Sequence, residues 1–155
     1  MEARATGWLD DAHHAVVREL LLHTCHRYHL ACPAYCLMPD HGHFLWIGLD
    51  ACADQRRAAA WFRRNWNARL APGYALQRQA YDHVLRANER EHGAFAVIAE
   101  YVLRNAERAG LLKDVSPWPY AGAVFPGVWP LEPHAPGYWE RFWREHGRRV
   151  GAERI

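Results

Sequence analysis

Two short apolar runs, residues 34–38 (AYCLM) and 42–49 (GHFLWIGL), stand almost back to back around Pro39 and Asp40. Proline and aspartate are good turn residues, so the stretch reads as two strands joined by a tight turn. Side chains alternate along a strand. His41, His43, Leu45 and Ile47 therefore share one face of the second strand, and Phe44, Trp46 and Gly48 share the other.

Helical periodicity surrounds this hairpin. Residues 10–30 read as an amphipathic helix with Val16, Leu20 and Cys25 recurring near helical spacing, and with Asp10 or Asp11 as N-cap. Pro33 is expected to close the connection that follows. Residues 54–70 read as a basic helix stopped by Pro72-Gly73, its buried stripe formed by Trp61 with Ala58 or Leu70. Residues 78–86 alternate like a strand, with Tyr81, His83 and Leu85 on one face. Residues 92–109 form the clearest helix: Phe95, Ile98, Val102, Ala106 and Ala109 face the core, and Gly110 is a natural C-cap. The segment 114–155 is an aromatic, Pro/Gly-rich extension ending in a short helix from about Tyr138. This order, helix–strand–strand–helix–strand–helix, predicts an α+β fold: an antiparallel sheet with helices packed on one face.

The 155 residues suit one domain, 1–155, and 8 Trp, 7 Tyr and 5 Phe are ample for a packed core. No stretch approaches the length of a transmembrane helix, and the N-terminus lacks a signal-peptide pattern, so a cytoplasmic protein with no membrane partner is expected. The four cysteines contain no C-x-x-C pair, which argues against a zinc ribbon and for reduced, partly buried side chains. The net charge of +2 does not mark a nucleic-acid binder. The local distribution says more: Arg56, Arg57, Arg63, Arg64, Arg69, Arg78, Arg86 and Arg90 face only Asp82 and Glu89 in residues 56–90. Guanidinium groups grip phosphates with a planar fork, although a charged segment is often only a solvated face.

Two constellations carry chemistry. Two residues apart on a strand, His41 and His43 point the same way and can hold one metal ion from one side; Mn, Mg, Zn and Ni are all conceivable. With 11 His in the chain, one H-x-H triplet is expected by chance, so the triplet carries weight only through its position at the mouth of an apolar strand. Tyr101 and Asn105 lie four apart on the clearest helix and share a face. Taken alone, they read as a boundary aromatic and a low-propensity helix residue.

Three segments in order, AYCLMPDHGHFLWIGL, LQRQAYDHVLR and EYVLRNAERAGLL, resemble the single-tyrosine HUH transposases of bacterial insertion sequences and REP-associated elements. In that family a strand carries MP-(N/D)-H-x-H, a later strand reads like YDHVLR, and a helix reads like YI..NPV..GL. The tail PWPYAGAVFPGVWPLEP is also similar. The resemblance covers roughly residues 10–145 and implies a ferredoxin-like βαββαβ HUH endonuclease fold, here with or without its first strand. It makes His41, His43 and Asn105 ligands of a divalent ion, Mg or Mn, and Tyr101 the nucleophile that takes a 5′-phosphate. Arg56, Arg57, Arg63, Arg64 and Arg86 would contact single-stranded or hairpin DNA, with Asp82 and His83 supporting the fold or the DNA. Relatives act alone or as homodimers. Departures from the pattern are Gly42 between the histidines, Ala106-Glu107 in place of Pro-Val, Leu76 for a tryptophan, and a start almost directly at the first helix. A hairpin-binding module without catalysis and an unrelated metal-dependent hydrolase are the competing readings.

Overall fold

The computed structural model describes residues 1–78, 85, 92–112, 117–128 and 131–152. Three strands, β1 (Leu30–Met38), β2 (His41–Gly48) and β3 (Ala121–Val124), form an antiparallel sheet in the order β2-β1-β3. Five helices are described: α1 (Asp11–Arg27), α2 (Gln55–Asn67), α3 (His92–Leu103), α4 (Asn105–Arg108) and α5 (Tyr138–Ala152). The fold is α+β, an open antiparallel sheet with helices packed on it, compatible with a ferredoxin-like arrangement. The strand expected over 78–86 lies outside the described residues except for Leu85, which is half-buried beside Phe95's cluster.

β1 is the centre of the sheet and is buried along its whole length. It begins four residues before the expected start and runs through Pro33, which was expected to end a connection. The registers explain how. Ala31 pairs with Ile47 but Ala34 with Leu45, and Cys32 pairs with Val124 but Tyr35 with Gly122. Both ladders thus pass three residues of β1 against two of the neighbour, which is a β-bulge. A proline has no N–H to give a ladder and is tolerated inside a sheet at such a place. The bulge also swaps faces: Leu30 and Cys32 join Tyr35 and Leu37 in one cluster, while Ala34, Cys36 and Met38 lie in another.

Helices cover both faces, because β1 is apolar on both. On one side, α1 contributes Val17, Leu20, Leu21 and Cys25, and α2 contributes Ala58, Phe62 and Trp66. The buried stripe of α2 is rotated from the expected one. Phe62 and Trp66 meet Phe44 edge-on at 5.1 and 5.7 Å between ring centroids, which leaves Trp61 only half-buried. On the other side, Phe95, Ala99, Val102, Leu103 and Ala106 pack on Ala34, Cys36, Met38 and Leu45. α5, longer than the short helix expected, adds Tyr138 and Phe142 against Ala31, Leu49 and Ala123.

The helix expected over 92–109 is broken at Arg104, whose φ −89° and ψ 11° leave helical geometry. Asn105 supplies the reason. Its side-chain amide donates to the carbonyls of Tyr101 (2.9 Å) and Val102 (3.1 Å), competing for acceptors that a continuing helix would use. Beyond the break Ala109 is exposed, so the core positions are Ala99 and Leu103 with Phe95, Val102 and Ala106. At the far end, Leu111 N donates to Ala106 O, Gly110 N donates to Glu107 O, and Gly110 sits at φ 69°, the C-cap its sequence position implied. Asp10 and Asp54 cap α1 and α2, accepting from His13 N at 2.7 Å and Arg57 N at 2.9 Å. The cysteines are free, with Cys25, Cys32 and Cys36 buried and Cys52 exposed. Among the described residues no helix is long and apolar enough to cross a membrane.

The β1–β3 contact depends on a missing side chain. A Cβ at Gly122 would lie 2.8 Å from the hydroxyl of Tyr35, a fully buried ring whose hydroxyl is hydrogen-bonded to His14 Nε2 at 2.9 Å. Gly122→Ala is expected to lower stability by about 1–3 kcal/mol through overpacking. Urea unfolding of the two proteins checks this; equal midpoints would mean that the Tyr35 ring is not held as described.

Candidate metal and nucleophile site

The β1–β2 turn is two residues long: Met38 pairs with His41, and Cys36 stands directly opposite His43. This register puts both imidazoles on the face covered by α3 and α4, at the turn end of the hairpin. Their Nε2 atoms converge to 2.9 Å, with ring planes at 78°. At that separation the pair either shares one proton or, with both lone pairs free, spans two neighbouring positions of an ion. The two Nε2 atoms are thus close enough to face one ion together.

The protonation chemistry agrees. His41 Nδ1 meets Asp40 Oδ1 at 2.6 Å, so in neutral His41 the ring proton sits on Nδ1 and Nε2 carries the lone pair. Burial, with the neighbouring His41, lowers the pKa of His43 and favours its neutral, ligand-competent form. Burial alone would raise the Asp40 carboxyl, but hydrogen bonds from His41 and Arg4 outweigh it and hold the group below the usual carboxylate range. Arg4 Nε donates to Asp40 Oδ2 at 2.6 Å, and the Met1 amino group donates to the Asp40 carbonyl at 2.6 Å. The N-terminal residues thus brace the turn. Asp40 looked from sequence like a turn residue alone; its position beside His41 was the available signal for a carboxylate that orients a ligand.

Gly42, the departure between the histidines, has a packing account. Its side lies against the opposite core, where a Cβ would come within 3.0 Å of the Phe44 ring and 3.2 Å of Leu37. Phe44 occupies the space that a larger residue would fill.

Tyr101 and Asn105 belong to the helical layer over the same face. The N–H of Ala106 reaches the Cys36 thiol, and Cys36 is the cross-strand partner of His43, so the α3–α4 junction overlies the strand positions beside the pair. Tyr101 is half exposed, and the Arg108 guanidinium carbon lies 4.3 Å from its ring centroid. Asn105 commits both amide hydrogens to α3, which turns its carboxamide oxygen away from those carbonyls. Among the described residues no hydrogen bond joins Tyr101 or Asn105 to the imidazoles. No cluster of three or more His, Cys, Asp or Glu side chains able to hold a metal occurs among them either. Among the described residues, the histidines thus offer two ligands on this face.

The arginines stand elsewhere. Arg56, Arg57, Arg63 and Arg64 occupy the side of α2 opposite Ala58, Phe62 and Trp66, and α2 covers the other face of the sheet. Arg57 lies 3.6 Å from Asp54, and Arg63 donates to the Gln77 carbonyl. Arg56 and Arg64 are exposed. Arg86, with Asp82 and His83, lies outside the described residues. These arginines were expected to hold DNA phosphates; the fold puts the sheet between α2 and the imidazole pair.

Comparison with family models, curated proteins and solved structures gives no match for this chain.

His13, His14 and His43 are all shifted the same way, chiefly by burial, toward the neutral form. His13 Nε2 also accepts the Trp66 indole N–H at 2.9 Å, an interaction that protonation there would remove. In the unfolded chain these groups titrate near pH 6.5, so below that value the unfolded state takes up protons that the native state resists. Their contribution is complete above about pH 6.5 and is lost as the pH falls. The melting temperature of metal-free protein should decline as the pH falls below about 6.5; a rise in that acidic range would contradict the burial of these rings.

Proposed function

We propose that this protein is a metal-dependent DNA transposase of the single-tyrosine HUH type, cutting and rejoining single-stranded or hairpin DNA. The observation that carries the reading is the 2.9 Å convergence of His41 and His43, braced by Asp40, on the sheet face overlain by the Tyr101 helix. The order of the three motif segments supports it from the sequence side.

His41 and His43 would hold a divalent ion, Mg or Mn, with the Asn105 carboxamide as the third protein ligand that the resemblance implies. Such an ion polarises a phosphodiester and stabilises the charge developing on a departing oxygen. Asp40 keeps the His41 proton on Nδ1, so that the Nε2 lone pair is available. Tyr101 Oη attacks phosphorus; the new O–P bond replaces the bond to the 3′ oxygen, the phenolic proton passes to solvent, and the 3′ oxygen takes up a proton. The strand end stays on Tyr101 as a 5′-phosphotyrosine, which a second 3′-hydroxyl can attack to rejoin DNA without an external energy source. Arg56, Arg57, Arg63 and Arg64, with Arg86, would grip backbone phosphates away from the reacting bond. The expected cellular setting is the cytoplasm.

A module without catalysis is the second reading: among the described residues neither Tyr101 nor Asn105 makes a hydrogen bond to the imidazoles. A hairpin oligonucleotide labelled at its 3′ end, incubated with protein and Mn or Mg, separates the two. The enzyme gives a covalent protein–DNA adduct that Tyr101→Phe abolishes. Hairpin binding without any adduct from the unmodified protein leaves only the module, and cleavage that survives Tyr101→Phe points to a water nucleophile.

The metal assignment has its own test. Asp40→Asn keeps the shape but gives up the carboxylate, and should weaken Mn affinity by roughly 10- to 100-fold in isothermal titration calorimetry. Unaltered affinity, or retained binding by His41→Ala and His43→Ala, would remove the ion from this site.

A further inference from the structure

The contact between Arg108 and Tyr101 is not what their spacing alone delivers. Residues seven apart in an unbroken helix are about 10.5 Å apart along the axis. Here the chain departs from the helix at Arg104 and restarts as the one-turn α4. The Arg108 guanidinium carbon consequently sits 4.3 Å from the Tyr101 ring centroid.

The surrounding charges are arranged so that Arg108 keeps its donors. Its neighbour Glu107 is taken by Arg104, which reaches both carboxylate oxygens at 2.6 and 2.7 Å. Glu100 lies 3.9 Å from the same Arg104. No carboxylate pairs with Arg108 among the described residues. The guanidinium carries five N–H donors. Its carbon over the ring restrains the phenol, at a half-exposed position where those donors can also meet a strand of DNA.

We propose that Arg108 is the positioning residue for the Tyr101 nucleophile, fixing the phenol ring by its cation–π contact while its N–H donors hold the phosphodiester that Tyr101 attacks. The inference rests on the tyrosine reading above. Arg108 adds alignment that matters when the reaction occurs, so its loss should appear in the rate on bound DNA more than in affinity.

The test compares the unmodified protein, Arg108→Ala and Arg108→Lys in two ways. Without metal or DNA, hydroxyl-radical footprinting read by mass spectrometry reports on the Tyr101 ring; its oxidation should rise in Arg108→Ala. With Mn and a 3′-labelled hairpin oligonucleotide, adduct formation is followed across DNA concentrations. Arg108→Ala should slow the rate at saturating DNA by roughly 10- to 100-fold, as misplacement of a reacting group does. The half-saturating DNA concentration should move much less, and the melting temperature should stay unchanged. Arg108→Lys, which keeps the charge but not the fork, should recover part of the rate. An unaltered limiting rate, a loss cured by more DNA, or an unaltered Tyr101 footprint each overturns the positioning role. If the unmodified protein forms no adduct, the tyrosine reading itself has failed and Arg108's role falls with it. That outcome is visible before any variant is compared.

Discussion

A strand with proline near its middle can stay inside a sheet only where the ladder is already interrupted, and β1 is such a strand. Pro33 is fully buried and sits at the bulge that both neighbours of β1 accommodate. The carbonyl of Pro33 accepts the Tyr138 hydroxyl at 2.5 Å, so the start of α5 closes on the same point from more than a hundred residues away. A buried carbonyl without a partner would be costly. The bulge, the proline and the C-terminal helix are therefore one device. It turns the first half of β1 toward α1 and α2 with one set of side chains and the second half with the other set. Both helical layers thus have apolar surface to cover.

The imidazole pair inherits its geometry from that strand. Because the register beyond the bulge is regular down to Met38 and His41, His43 lies opposite Cys36 and the two imidazoles share a face. A slip of one residue would turn both rings toward Phe62 and Trp66, into the aromatic core between the sheet and α2. Cys36 itself is chemically quiet: burial pushes its thiol up to about 11, and the Ala106 N–H only partly offsets this. It serves as a small spacer that lets the α3–α4 junction approach the sheet closely. Packing on one side and a carboxylate on the other thus restrain the pair.

Some of this was readable from the amino-acid string and some was not. The hairpin, the face shared by His41, His43, Leu45 and Ile47, the cap at Asp10 and the glycine stop at Gly110 follow from local rules, and the structure has each of them. Pro33 was misread because a proline in isolation signals an ending; its tolerance depends on pairing with two strands distant in sequence. The stripe of α2 shifted because Trp61 and Phe62 are equally apolar, and only Phe44, in another element, decides which turns inward. The break at Arg104 was hidden for a different reason. Periodicity sees apolar spacing and is blind to an asparagine side chain that takes its own helix's acceptors. Asp40 needed the fold as well, since a turn aspartate and a carboxylate that fixes a tautomer look alike until the neighbouring ring is oriented.

On the proposed reading, the two helical layers would divide the labour of a reaction on a nucleic acid. The α2 face presents Arg56, Arg57 and Arg64 to solvent across from an aromatic core, a surface suited to phosphates irrespective of base sequence. The opposite layer covers two converging imidazoles and holds a tyrosine under a guanidinium. A site that must attack one phosphodiester gains little from a general positive field, which binds ground and transition states alike. It gains from a few donors aimed at one phosphate. If the proposed reading holds, separating the two by the thickness of the sheet would let the chain grip a polyanion on one side without crowding a reacting phosphate on the other.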